Sequence, residues 1–374
     1  VFLKIQSYAF RNLQDTELDF NPAVNILVGE NGQGKSNLVE ALCLLSTGDS
    51  FRDFENESLI KNNFEQASIR ALAFSRNLEY SVDLRISEKS RTYSLNGKRT
   101  SAAKLSSIFQ LVTFSPDSLN AIKQGTDLRR RLVDEIVDSF DPAKAEALGE
   151  FRKALSYRNK VLKSLQEEPS NKDHMLILEA INPKYLELCA AVCKARLDTL
   201  KAITPFYQAS HLRFAGLNQA AELGFRYLMS GKDLFGLSNR EIHNSMQNRM
   251  QELRSAEISS GVSLVGPHRH EIEFLSHGKD SRYYCSQGQQ RALIIALKLA
   301  QIMYHKEFFG NYPVLILDDV LSELDEVKRG SLVQFLQNIE TQVFITTTDL
   351  SLPSEFLLKD SLVLKVEGGT FSRL

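Results

Sequence analysis

The sequence predicts an α/β fold whose principal domain is split between the two ends of the chain, with a mainly helical insertion between the halves. Three observations predict it. A glycine-rich segment, GENGQGKS, occupies Gly29–Ser36, behind a strand-like run AVNILV and ahead of NLVEALCLL, whose apolar residues recur at helical spacing. Two further segments, SQGQQR at Ser286–Arg291 and VLILDD at Val314–Asp319, lie near the other end. Roughly 250 residues separate the first segment from the other two, and much of that interval reads as helix. The expected division is a discontinuous head of residues 1–135 and 255–374, and a lid or short arm of residues 136–254.

The first segment fits GxxxxGK[ST]. In that pattern the backbone N–H groups of a glycine-rich turn close around phosphate oxygens at a helix N-terminus. The turn is Gly29, Glu30, Asn31, Gly32, Gln33 and Gly34, with Asn37 in the helix behind it. Lys35 would reach the β and γ phosphates, and the Ser36 hydroxyl would serve Mg²⁺. Residues 1 to about 135 read as strand-rich. SVDLRISEKSRTYSLNGKRTS alternates and carries Asn96-Gly97 between short apolar runs, a type I′ hairpin signal.

From Thr126 to about Phe206 the pattern is helical. LRRRLVDEIVDSF leads through Asp141-Pro142, a helix start, into AKAEALGEFRKALSYRNKVLKSL, and EEPSN breaks the run. A second helical stretch follows, nicked at Asn182-Pro183. Two antiparallel helices of about 25 residues would project roughly 35 to 40 Å at 1.5 Å per residue. That is a short arm.

SQGQQR precedes ALIIALKLAQIMY, again of helical periodicity. Ser286 can cap that helix and Gly288 admits an anion close to the backbone, so this is a second phosphate-binding helix start, with Gln289 in its first turn. One nucleotide needs one cradle. The second is best used across a dimer, on the γ-phosphate held by another copy. VLILDD is a buried strand ending in two carboxylates: Asp318 is placed to hold Mg²⁺ and Asp319 to polarise the attacking water.

In order and spacing, KIQSYAFRNLQDTELDF, GENGQGKSNLVEAL, FSPDSL, ALSYRNKVL, GPHR, SQGQQRALIIALKLA, LILDDVLSELD and FITTTD resemble the RecF family of bacterial recombination-mediator ATPases. The resemblance implies an ABC-type split-head P-loop ATPase with Lys35 and Ser36 as Walker A residues and Asp318 and Asp319 as the Walker B pair. It also makes Ser286 and Gly288 signature contacts and Asp325 the D-loop residue. ATP and Mg²⁺ are the implied cofactors, and Lys35, Asp319 and Ser286 the catalytic set. Gln287 stands where transporters usually carry Gly, Asp319 where they carry Glu, and Thr346–Thr348 at the switch position in place of His. A shorter acid and no imidazole imply slow, DNA-sensitive turnover. Gln110 precedes LVTFSPD but is not placed at the metal by sequence.

The family further implies an ATP-dependent homodimer on duplex or gapped DNA. Its implied work is with RecR and RecO to load RecA in recombinational repair, replication restart and the SOS response. The alternative is another short-armed ABC- or SMC-like ATPase with a chromosome-organising or non-DNA role. A transporter subunit would need a membrane partner, and a small kinase would have no use for SQGQQ.

Charge gives the DNA reading no support, since 45 basic residues meet 46 acidic ones for a net charge of −1. Candidate DNA or dimer contacts are Arg52, Arg129, Arg130, Arg131 and Arg269, with Lys98, Arg99, Arg152 and Lys153 as further local cations. On a helix Arg129–Arg131 spread over about 200°, so they cannot all face one ligand. His268 follows Gly266-Pro267, a pair that by itself explains a turn. No run approaches the roughly 18 apolar residues of a membrane span, and the first residues lack a signal pattern, so a cytoplasmic protein without a membrane partner is expected. Cys43, Cys189, Cys193 and Cys285 lack metal-ligand spacing and read as buried thiols, and no CxxC hook is present.

Overall fold

A computed structural model describes residues 1–52, 55–215, 222–348 and 361–374. Two compact units emerge: Val1–Leu119 with Ala209–Ala220 and Arg291–Leu374, and Asn120–Gln208 with Ala221–Gln290. Within the second unit the Thr126–Phe140 helix is tied by Arg129 to Glu271 and Ile272.

The first unit holds two sheets. One is antiparallel, in the order β2 (Thr16–Asp19), β1 (Phe2–Tyr8), β4 (Gln66–Ser75), β5 (Leu78–Ser87), β6 (Ser90–Leu95) and β7 (Lys98–Thr100). Its last hairpin turns at Asn96 (φ 50°) and Gly97 (φ 75°), the two left-handed residues that a type I′ turn requires. The other sheet runs β16 (Thr370–Arg373), β15 (Ser361–Glu367), β3 (Val24–Val28), β14 (Val343–Thr347), β13 (Val314–Asp318) and β8 (Leu111–Phe114). All but β16 are parallel. Every residue of β3, β13 and β14 is buried, the pattern of parallel strands covered on both faces.

Between the sheets lies the Lys35–Thr47 helix. Its Leu38, Val39, Leu42 and Leu45 share one core with Ile5, Ile69 and Leu84 of the antiparallel sheet and Ile316 and Phe344 of the parallel one. The parallel sheet therefore delivers Val28, Thr347 and Asp318 to one edge, at its strands' carboxyl ends, where open α/β sheets bind ligands.

The second unit combines helices with a small antiparallel sheet, β10 (Lys232–Asp233), β9 (Leu223–Met229), β11 (Glu271–Ser276) and β12 (Lys279–Asp280). Asp141 caps the Pro142–Glu167 helix by accepting from the N–H groups of Ala143 and Lys144, as its place before proline suggests. The expected nick at Asn182-Pro183 is absent. One helix of 44 residues, Lys172–Ala215, passes through both Pro183 and Pro205. Each proline removes one backbone bond, but Tyr185, Leu186, Cys189, Val192 and Cys193 beyond Pro183 are buried, and their packing overrides the local preference. The two helices are thus 26 and 44 residues long, where about 25 each was expected. No helix of the described residues is long and apolar enough to cross a membrane.

Candidate nucleotide-binding site

The phosphate loop sits between β3 and the Lys35–Thr47 helix. Gly34 occupies the N-cap with φ 115° and no side chain, and no acid lies in the first turn. The helix start is therefore left open to an anion. A Cβ on Gly34 would meet Leu13 Cδ2 at 3.0 Å and Asn12 Oδ1 at 3.1 Å, and one on Gly29 would meet the Val366 carbonyl oxygen at 2.3 Å. Both glycines are fixed by crowding, and Gly34 by its φ as well. Gly32, also left-handed at φ 80°, has open space around it.

Lys35 is buried and donates to the carbonyls of Gly29 (2.6 Å) and Glu30 (2.8 Å), so its ammonium lies inside the loop. Burial lowers its pKa, and Asp319 and Asp318 oppose that shift. Asn31 is exposed at the crest, and Asn37 donates to Asn12, which donates to the Gly32 carbonyl at 2.8 Å. Gln33 accepts from the N–H of Gly368 (2.6 Å) on its side chain and from that of Gly369 (2.9 Å) on its backbone. The β15–β16 turn thus braces the loop, a support no local sequence signal announces.

Asp318 is buried at the end of β13, and burial pushes its carboxyl above the usual range while hydrogen bonds from Ser36 and Thr346 pull it back. Thr346, its register partner on β14, donates to Asp318 Oδ1 at 2.8 Å and accepts from the Asp319 N–H at 2.9 Å. Asp319 adopts φ 53°, a left-handed conformation uncommon outside glycine. Ser322 donates to its carbonyl (2.7 Å) and to Oδ1 (3.1 Å). Thr347 is buried and Thr348 exposed, while Asp349, the last residue of FITTTD, lies outside the described residues. The arrangement fits a magnesium nucleotide: an uncapped helix start, a buried ammonium, and a hydroxyl on a buried carboxylate.

A second layer was missed by sequence reasoning. Glu40 is fully buried and takes two bonds from Arg11, at 3.0 and 2.8 Å, and one from Ser50 at 2.5 Å. Arg52 lies 4.0 Å from Glu40 and donates to Asn37 Oδ1 at 3.0 Å, which places it beside the P-loop helix. The carboxylate in NLVEAL and the arginine in FRN were the only available signals, and neither states the pairing.

In the second unit Ser286 and Gln289 form a reciprocal cap: the Ser286 N–H donates to Gln289 Oε1 at 2.8 Å, and the Gln289 N–H to Ser286 Oγ at 3.3 Å. Both are exposed, Gly288 is half-buried, and Gln290 behind them donates to the carbonyls of Ser281, Arg282 and Cys285. Asp325 caps the Glu326–Gln337 helix in the first unit by accepting from the Lys328 N–H at 2.9 Å, and Lys328 holds its pKa down.

Two expected DNA contacts require correction. Arg129 is 1% exposed, and its guanidinium is taken up by Glu271, Ile272 O and Ile122 O. Arg130 is buried, donates to His270 O at 2.6 Å and pairs with Asp127. Helix phase turns both toward β11, leaving neither for a ligand. Arg131 is half-buried, and Arg269 is exposed with its Nε on Ser263 O at 3.3 Å. Cys43, Cys189 and Cys193 are buried thiols, and Cys285 is partly exposed.

The phosphate loop, the buried acid and the strand order define an ABC-type P-loop ATPase head. The family model for the RecF/RecN/SMC N terminal domain matches residues 2–362. Heads of Smc from Pyrococcus furiosus share this fold at a TM-score of 0.52 and 15% identity. The chain is 34% identical to the DNA replication and repair protein RecF of Bacillus pumilus and 33% to that of Bacillus subtilis, each across 98% of both chains. The solved structures of the recombination mediator protein RecF with ATPrS and with ATP, in the RecFOR pathway, both match at TM-score 0.85 and 31% identity. They cover 100% of this chain and 98% and 97% of theirs. The chain belongs to the RecF family.

Proposed function

We propose that this chain is an ATP-controlled DNA clamp acting in replication and recombinational repair. The observation that carries this reading is a pair of helix starts suited to phosphate: the uncapped one at Lys35 in the first unit, and the exposed one at Ser286–Gln289 in the second, where the Ser286 hydroxyl would exchange its bond to the Gln289 N–H for the anion. Two heads would close with each nucleotide held by one chain's loop and contacted by the other chain's Ser286, Gly288 and Gln289. Because a ligand shifts an equilibrium only by its differential affinity, these cross-chain contacts are what would let ATP favour the closed dimer.

Within a head, Lys35 and the loop N–H groups would hold the phosphates. Ser36 and Asp318 would hold Mg²⁺, which supplies charge neutralisation between phosphate oxygens. Asp319 would orient the attacking water, its backbone held by Thr346 and Ser322. Arg52, beside the P-loop helix, is a candidate contact to phosphate or to the opposing protomer. An aspartate in this role and no histidine beside it support slow turnover, with DNA altering the rate. Resemblance to proteins of the RecFOR pathway supports RecR and RecO as partners, RecA loading as the output, and the cytoplasm as the place.

Ser286→Arg tests the sandwich. It should leave ATP affinity of the monomer unchanged and abolish ATP-induced dimerisation in light scattering; a variant that still dimerises sinks the model. Binding to duplex and gapped DNA should differ between ATP and ADP, and equal affinity in both states would remove the clamp.

A further inference from the structure

The run FRKALSYRNKVLKSLQ, Phe151–Gln166, contains five cations and no carboxylate, in a chain whose net charge is −1. The Pro142–Glu167 helix sorts it by face. Phe151, Arg158, Val161, Leu162 and Leu165 are buried. Arg158 is the inward anchor, with two bonds to Glu257 at 3.0 and 2.6 Å, one to Ser263 at 2.8 Å and one to Asn182 at 2.9 Å. On the opposite face Arg152, Lys153, Tyr157, Lys160 and Lys163 are exposed, Tyr157 at 52%. At about 100° per residue they fall within one face of roughly 140°. Arg152 has Asp138 at 4.0 Å, but among the described residues no carboxylate pairs with Lys153, Lys160 or Lys163.

We propose that this outward stripe is a docking surface for the phosphate backbone of duplex DNA; the inference rests on the DNA-binding reading above and names its surface. Unpaired ammonium groups are the groups that displace counterions from a polyanion. The tyrosine hydroxyl among them is a donor of the kind that positions phosphates without reading sequence. Lys153 and Lys163 stand about 15 Å apart along the helix, close to four steps of roughly 3.4 Å along one DNA strand. The Arg158 anchor fixes which face the helix presents, so docking does not require the helix to be oriented first. Of the arginines that sequence put forward at 129–131, Arg129 and Arg130 lack this property, since both are spent inside the unit.

The test is fluorescence anisotropy of a labelled 30-base-pair duplex with the full chain and saturating ATP, between about 50 and 200 mM salt. The triple variant K153Q/K160Q/K163Q should flatten the slope of log affinity against log salt by about 2 to 3, near 0.9 per phosphate contact. K153R/K160R/K163R should keep the wild-type slope, and the single K160Q should lose about 0.9. ATP-induced dimerisation should be intact in all of them. A wild-type slope in the triple glutamine variant overturns the proposal. The same slope with lost binding to polyglutamate would assign the stripe to an acidic protein surface and overturn it equally. If the wild-type chain binds no duplex in any nucleotide state, it is the DNA-binding reading itself that fails.

Discussion

The single hydroxyl of Thr346 serves both acids at the end of β13: it donates to the Asp318 carboxylate and accepts from the backbone N–H of Asp319. Thr346→Val keeps the shape and removes both bonds. It should cost about 1 to 3 kcal/mol of stability in urea unfolding, as expected when buried polar groups lose a partner. ATP turnover should fall at least about tenfold, each tenfold being 1.4 kcal/mol of barrier, with ATP affinity little changed in calorimetry. A second residue-scale effect concerns two histidines. Burial lowers the pKa of His268 to about 4 and of His270 to about 3. Above pH 6.5 neither state binds the proton and the histidines cost nothing. Below it the unfolded chain takes up protons that the folded unit refuses, so stability falls as pH drops from 6.5 to about 4 through His268 and on to about 3 through His270. Urea unfolding of the second unit should show this slope, and His270→Gln should flatten it.

Among the elements, the β15–β16 turn braces the phosphate loop from outside its own helix, with Gly368 and Gly369 both donating to Gln33. A Cβ on Gly369 would lie 2.2 Å from the Asn12 carbonyl oxygen, with φ at 79°. Gly369→Ala should therefore weaken ATP binding in calorimetry by about tenfold, roughly 1.4 kcal/mol, though it touches no phosphate. Gly310→Ala, at φ 75° with open space, carries the backbone strain without the clash and should leave affinity near wild type. What sequence made legible here was local: Gly34 before Lys35, Ser286 with Gln289 three residues on, Asp141 before a helix, Asn96-Gly97 between strands. Each signal fits within one turn of chain. What stayed hidden was long-range. Arg129 meets Glu271 and Gln33 meets Gly368 across separations that no window spans. Pro183 misled because its local cost is visible in sequence and the burial that offsets it is not.

At the scale of the molecule, the second unit is held by the buried Arg158–Glu257 pair, with both side chains at most 2% exposed. Glu257→Gln alone should destabilise by about 3 to 5 kcal/mol in denaturant unfolding, because it leaves a buried charge uncompensated, whereas Arg158→Met with Glu257→Leu should recover most of that loss. The sequence made the split head legible through motif order, but not the ties of Arg129 and Arg130 to residues 270–272, which lie 140 or more residues away along the chain. The bracing of Gln33 by Gly368 and Gly369 has a consequence in time. The loop at Gly29–Ser36 is synthesised more than 300 residues before its partners at Thr347 and Gly368. At about 5 to 20 residues per second the nascent chain spends some 15 to 60 s with an unbraced loop. Nucleotide capture thus becomes a marker of translation past residue 369, and a polypeptide stalled before that point should pass through an ATP-affinity column unretained.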